Sequence, residues 1–291
     1  MRWHLLFPLI SSLIYVSGAM WLKRASELGV GVWPATCFSN LITTLFFVPL
    51  ILMGGNPQPI SALWQPGLVS LLLVLGQYFA ILALNRGDVS VATPVMSIKT
   101  VLVAVLSTIM LHQMPSFFLW AGATISSFAV LLLHHKGQKA THQVRLTVVS
   151  ALLAASFFAL FDVLVQKWSS LWGPGYFLPL IHILAVVYTF TYTLVLRSSL
   201  FVIPKDAWLP MLGGSGLIAL QSLLLITTLG IFGDATAVNV IYAARGLWSV
   251  LLVWYLGHWF QSKEQNLGDQ VLGWRLTGAG LMTVSIILAL I

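Results

Sequence analysis

Runs of about twenty apolar residues recur along this chain with hardly a charge between their ends, and no other feature constrains its fold as strongly. Residues 89–111, 116–133, 146–161 and 271–291 each hold at most one formal charge away from their ends. A membrane-spanning helix needs about 20 mainly apolar residues. Hydrophobic side chains occupy 59% of the 291 positions and charged ones 7%, against about 45–50% and about 25% in ordinary soluble domains. The sequence therefore reads as an all-α integral membrane protein, with the lipid bilayer as its first partner.

The formal net charge of +7 would suggest nucleic acid in a soluble protein. Here no Lys/Arg cluster interleaved with aromatics supports that, and the cations read as loop residues that orient a polytopic chain. A lone cysteine, Cys37, can form no internal disulfide. The first residues, "MRWHLLFPLISSLIYVSGAM", have the outline of a signal peptide. They are read as a retained first span because they have a counterpart later in the chain.

Cutting at charges, Gly and Pro gives ten spans, near 5–22, 32–53, 67–84, 89–111, 116–134, 146–166, 176–196, 210–230, 235–257 and 271–290. A polar loop, "HHKGQKATHQVR" at 134–145, falls midway and divides the chain into 1–135, the loop 136–145, and 146–291. The halves resemble each other. Ser12, Lys23, Ser26 and Gly29 are matched by Ser156, Lys167, Ser170 and Gly173 at an offset of 144. "GDVSVATPVMSIKTVLVAVLS" (87–107) is matched by "GDATAVNVIYAARGLWSVLLV" (233–253) at an offset of 146. "LWAGA" (119–123) and "LTGAG" (276–280) share small residues that let helices approach closely. Five spans per half is an odd number, so the two repeats lie in opposite senses across the membrane. That inverted-topology arrangement is typical of secondary transporters, which bind their substrates near the midplane between the repeats.

Ten spans in five-plus-five, short loops, the "LNRGDVSVATPV" opening of span four and the small-residue spans five and ten together resemble the drug/metabolite transporter superfamily, its EamA-type carriers in particular. The resemblance implies a carrier of small solutes with both termini in the cytoplasm. Two positions depart from it. The loop after span four, "LHQMPS", lacks the acidic residue that such carriers often place there, and Pro94 is matched by Val240.

The doubled motif contains the chemistry. Lys99 and Arg245 each follow a Gly-Asp pair by the same interval and fall near the middle of spans four and nine. At 1.5 Å per residue each lies about 15 Å deep, where an unpaired cation costs about 2.5–3.5 kcal/mol. Two explanations stand side by side. The cations pair with internal acids or carbonyls as interhelical glue, or they line a watery cavity and attract an anionic solute, Arg245 through its planar fork and Lys99 as a point charge. The only acid within a span is Asp162, placed near the end of span six, and one acid cannot neutralise two cations; it is also the candidate for proton coupling. Buried Lys and Arg serve carriers of phosphorylated or carboxylated solutes in the superfamily, the triose-phosphate translocators among them, in a different register.

Tyr242 and Trp248 flank Arg245 by three residues on each side, on much the same helical face, as a substrate wall or as ordinary packing. Asn239, Gln77, Tyr78 and Gln221 are polar positions within spans, suited to a substrate or to interhelical bonds. His182 in span seven is a further titratable position. No metal-ligand spacing, phosphate loop or nucleophile motif is present, so no catalytic residue, metal or cofactor is expected. Counting loop cations, with ten on one side against two, puts both termini outside, opposite to the resemblance. The expected function is secondary transport of a small metabolite bearing a carboxylate or phosphate. The alternatives are a membrane enzyme acting on a lipid or polyprenyl phosphate, and a non-transporting scaffold. Oligomeric state, a homodimer included, is left open.

Overall fold

The apolar runs fold into helices nearly end to end. The computed structural model describes residues 3–85, 92, 95–133, 144–195, 203–248, 251 and 269–291. Within them lie α1 (Leu6–Glu27), α2 (Val32–Phe47), α3 (Trp64–Asn85), α4 (Lys99–Leu111), α5 (Phe117–Leu133), α6 (Val144–Trp172), α7 (Pro174–Val195), α8 (Trp208–Phe232), α9 (Ala235–Tyr242) and α10 (Asp269–Leu290), with no strand among the described residues. Six helical stretches are long and apolar enough to cross a membrane: Trp3–Glu27, Val32–Met53, Ile60–Ala83, Val144–Trp172, Pro174–Thr191 and Lys205–Phe232. Lys99–Leu111, Phe117–Leu133 and Leu276–Leu290 are apolar but shorter. The chain is an integral multi-pass membrane protein. Large apolar side chains such as Leu52, Ile60, Phe117, Phe128 and Leu209 point outward, a surface that water would penalise and lipid accepts.

The helices interleave instead of forming two separate bundles. α1 runs along α8, and α3 along α6; α2 packs on α7 and α8, and α7 on α2 and α3; α5 runs along α10, and α4 meets α9. Exchanging the first five helices for the last five maps these pairs onto one another, whereas the packing of α6 on α8 and on α7 has no comparable counterpart between α1 and α3 or α1 and α2. The terminators also recur. Gly29 and Gly173, 144 residues apart, end α1 and α6 with φ of 93° and 77°, a left-handed conformation that costs little only for glycine. Gly233 closes α8 by donating to the Leu229 carbonyl, and Asp234 then caps α9 by accepting from the Ala237 N–H at 3.2 Å. The second Gly-Asp pair is thus a helix stop followed by an N-cap.

Three expectations change. Span six does not end near residue 166 but continues to Trp172, so Asp162 lies well inside its helix instead of near the end. Spans four and nine are not continuous: each is broken by a two-residue turn, at 97–98 and 243–244. Span two loses its α-helix at Phe47 and continues as a 3₁₀ stretch, Val48–Met53, with a proline in its first turn. Gly87, Asp88, Ser90 and Pro94, the central loop between 134 and 143, and Arg2, Arg86, Lys136, Lys139, Arg197 and Lys263 lie outside the described residues.

Small residues bring the helices together where the sequence implies they should. A Cβ on Gly278 of α10 would sit 2.9 Å from both the Ala129 carbonyl oxygen and the Leu133 nitrogen, and one on Gly122 would sit 3.2 Å from the Ser285 carbonyl oxygen. Backbone cannot yield as a flexible side chain does. Gly278→Val is therefore expected to push α10 off α5 and lower stability by about 1–3 kcal/mol, readable as a drop in the melting temperature of the detergent-purified protein.

Candidate functional site

The two breaks are built alike. At the first, the N–H groups of Ile98, Thr100 and Leu102 donate to the carbonyls of Val95, Ser97 and Ile98. At the second, those of Ala244, Gly246 and Trp248 donate to Ile241, Ala243 and Ala244. Each bond has its counterpart 146 residues away. The first two of each set span three residues instead of four, tightening the helix locally. The helix resumes at Lys99 in one half and at Arg245 in the other. Each cation therefore stands at the first helical position after its break. Ser97 secures the first break to α5, where the hydroxyl of Ser127 donates to the Ser97 carbonyl at 3.0 Å.

Both cations border one cavity of about 200 Å³, room for about seven waters at roughly 30 Å³ each. Tyr15, Ser97, Thr100, Asn239 and Tyr242 contribute to the same wall. Lys99 Nζ lies 2.7 Å from Asp162 Oδ2, and that oxygen also accepts from Asn239 Nδ2 at 2.8 Å. The Asp162 side chain is 4% exposed, so this is a buried, hydrogen-bonded ion pair just behind the cavity wall. Such pairs roughly offset the desolvation of their members, and removing one partner is what costs most.

Arg245 is held differently. Its guanidinium carbon lies 4.9 Å from the Tyr242 ring centre and 5.3 Å from that of Tyr15. Among the described residues no carboxylate forms an ion pair with it. The two rings meet edge to face at 6.1 Å, and the Tyr242 hydroxyl is anchored by donating to Gln221 Oε1 at 3.0 Å. Cation–π contacts are worth about 0.5–2 kcal/mol each. They offset part of the cost of the buried charge.

The structure thus brings together Lys99, Arg245, Tyr242 and Asn239, with Asp162 behind Lys99. Gln77, Tyr78 and Trp248 are placed elsewhere. Gln77 exchanges two 3.0 Å hydrogen bonds with Asn40, joining α3 to α2. Tyr78 stacks on Trp33, and Trp248 Nε1 donates to Ser12 Oγ at 2.9 Å, tying the second half-helix to α1. His182 is buried against Phe47 at 3.9 Å between ring centres, away from the cavity. Tyr15 and Thr100 were not singled out from sequence. Tyr15 is one tyrosine in an apolar run, and the only signal for it was its position one turn beyond Ser11 and Ser12.

Beyond the Lys99–Asp162–Asn239 layer lies a second cavity of about 410 Å³ bordered by Ser107, Gln113, Gln166, Asp234 and Thr236. Gln166, one helical turn after Asp162, closes it. Its Nε2 donates to Gln113 Oε1, and its Oε1 accepts from the Ala235 N–H, both at 2.8 Å. Among the described residues no cluster of three His, Cys, Asp or Glu could hold a metal ion.

Interleaved apolar helices surround a cavity that both cations border, in a polytopic membrane protein. Residues 1–134 match the EamA-like transporter family, a family of the drug/metabolite transporter superfamily. Members of the family are membrane transporters of small solutes, not enzymes. A solved crystal structure aligns with 99% of this chain and 98% of its own at 15% identity, with a TM-score of 0.77, a likeness of fold. No curated protein matches the chain.

Proposed function

We propose that this chain is a secondary active transporter that moves a small carboxylate- or phosphate-bearing metabolite by alternating access, through ten helices arranged as two inverted five-helix repeats, 1–135 and 146–291. The observation that carries the reading is that Lys99 and Arg245 border one cavity, and that among the described residues only Lys99 is ion-paired, with Asp162. An unneutralised cation in a membrane interior is costly and marks a substrate or ion path by default. The main helix pairs that exchange into one another and the matched breaks 146 residues apart support the repeat, and discontinuous helices whose ends face a central site are the usual transporter device. Lys99, Arg245, Tyr242 and Asn239 would hold the solute. Gln77, Tyr78 and Trp248 would act through helix packing.

The test is thermal stability of the purified protein against anionic, neutral and cationic metabolites. A ligand at one hundred times its dissociation constant stabilises the folded state by about 2.7 kcal/mol. Anions are expected to raise the melting temperature and matched neutral amides to leave it unchanged. Stabilisation by polyprenyl phosphate alone would favour the enzyme reading, and no response to any solute would favour the scaffold. Asp162 is the candidate for proton coupling, and uptake into proteoliposomes that ignores an imposed pH gradient would remove it from that role.

A further inference from the structure

Charge counting in the cavity leads beyond an anion of unspecified valence. Lys99 is already neutralised by Asp162 at 2.7 Å, and Asp162 is kept in place by Asn239 at 2.8 Å. Among the described residues Arg245 has two tyrosine faces and no ion-paired carboxylate. The cavity therefore carries, among the described residues, one positive charge in excess.

We infer that the solute presents a single negative charge, a carboxylate in preference to a phosphate dianion, and that Asp162 sets this valence by occupying Lys99. The inference rests on the anion-carrier reading. A carboxylate carries one charge, whereas a phosphate monoester carries about −1.5 to −2 near neutral pH. A monoanion on Arg245 leaves the occupied site neutral. A dianion leaves a surplus negative charge near the bilayer centre, a penalty of about a hundredfold in affinity.

The two repeats reveal why only one cation is engaged. At the offset of 144 that relates α1 to α6, Asp162 corresponds to Gly18. A Cβ on Gly18 would already meet Leu217 at 3.1 Å and the Gly214 carbonyl oxygen at 3.2 Å. The α1 position that corresponds to Asp162 is thus spent on close packing against α8, with no room for a carboxylate. Instead Tyr15, one turn earlier, covers the guanidinium face. The halves share their cations and differ in their counter-ion, so the asymmetry of the site follows from packing.

The experiment measures thermal stabilisation of wild type, Asp162→Asn, Lys99→Gln and the Lys99→Gln/Asp162→Asn double variant. The probes are lactate and benzoate as monoanions, and succinate and glycerol 3-phosphate as dianions. Wild type is expected to respond to monoanions, and Asp162→Asn to shift toward dianions by about tenfold or more. Lys99→Gln should respond to neither, and the double variant, again with one excess cation, should regain the monoanion response. This last arm stands even if a single variant folds poorly. Wild type that prefers dianions, or a double variant that stays silent while wild type responds to monoanions, overturns the valence inference and leaves the anion carrier standing. Wild type that ignores every anion overturns both.

Discussion

Arg245→Gln is expected to abolish stabilisation by anionic ligands, a loss of the full ~2.7 kcal/mol that saturating ligand supplies, without lowering the stability of the ligand-free protein. The reason lies in what surrounds the guanidinium. It has two tyrosine faces and no paired carboxylate among the described residues, and burying an unneutralised cation at this depth costs about 2.5–3.5 kcal/mol. Removing it relieves that cost and forfeits cation–π contacts of about the same size. The apo melting temperature should therefore hold or rise, the pattern expected where function is kept at the expense of stability. Arg245→Lys should retain part of the ligand response, because the charge remains while the planar fork is lost. If Arg245→Gln instead melts several degrees lower and wild type ignores anions, the residue is structural glue.

Asp162→Asn should behave in the opposite way. It leaves Lys99 buried without its partner, and breaking such a pair costs about 3–5 kcal/mol, the largest stability loss expected from any polar substitution here. Adding Lys99→Gln should recover most of it, since no isolated charge then remains. Chemical or thermal unfolding of the two singles and the double closes the cycle. A coupling energy near zero would mean that the 2.7 Å contact carries no energy, and with it would fall the view of Asp162 as resident counter-ion.

The contrast between these two cations was only half legible beforehand. Two positive residues in matched apolar runs stand out in any reading of the chain, because a cation there needs a reason wherever it points. Their convergence on one cavity is what the matched motifs led one to expect. That Lys99 has a carboxylate and Arg245 none did not. Asp162 was placed too near a helix end, because charges and polar residues at 166–170 look like the edge of a span. In the fold they are packed against α3 and the 233–236 turn, and the helix runs on to Trp172. The breaks before Lys99 and Arg245 were hidden for a related reason. Val240 replaces the proline that would flag a kink, and "AARG" carries no strong helix-breaking residue before the turn. Gln77 and Trp248 illustrate the converse. Polar groups inside lipid must find partners, and a neighbouring helix offered one before the cavity did.

By itself, the sequence determined that this chain lives in a bilayer, that it is helical, and that two central cations in matched motifs demand an explanation. These follow from local quantities: transfer free energy summed along a run, and the spacing of charges and small residues. Only the tertiary structure decided which cation is neutralised, which rings cover the other, and where each helix breaks. Those outcomes depend on which helices lie side by side, as Gly18 against α8 and Asp162 against α4 make plain, and a pairing between residues 63 or 230 positions apart leaves no trace in the local pattern of either.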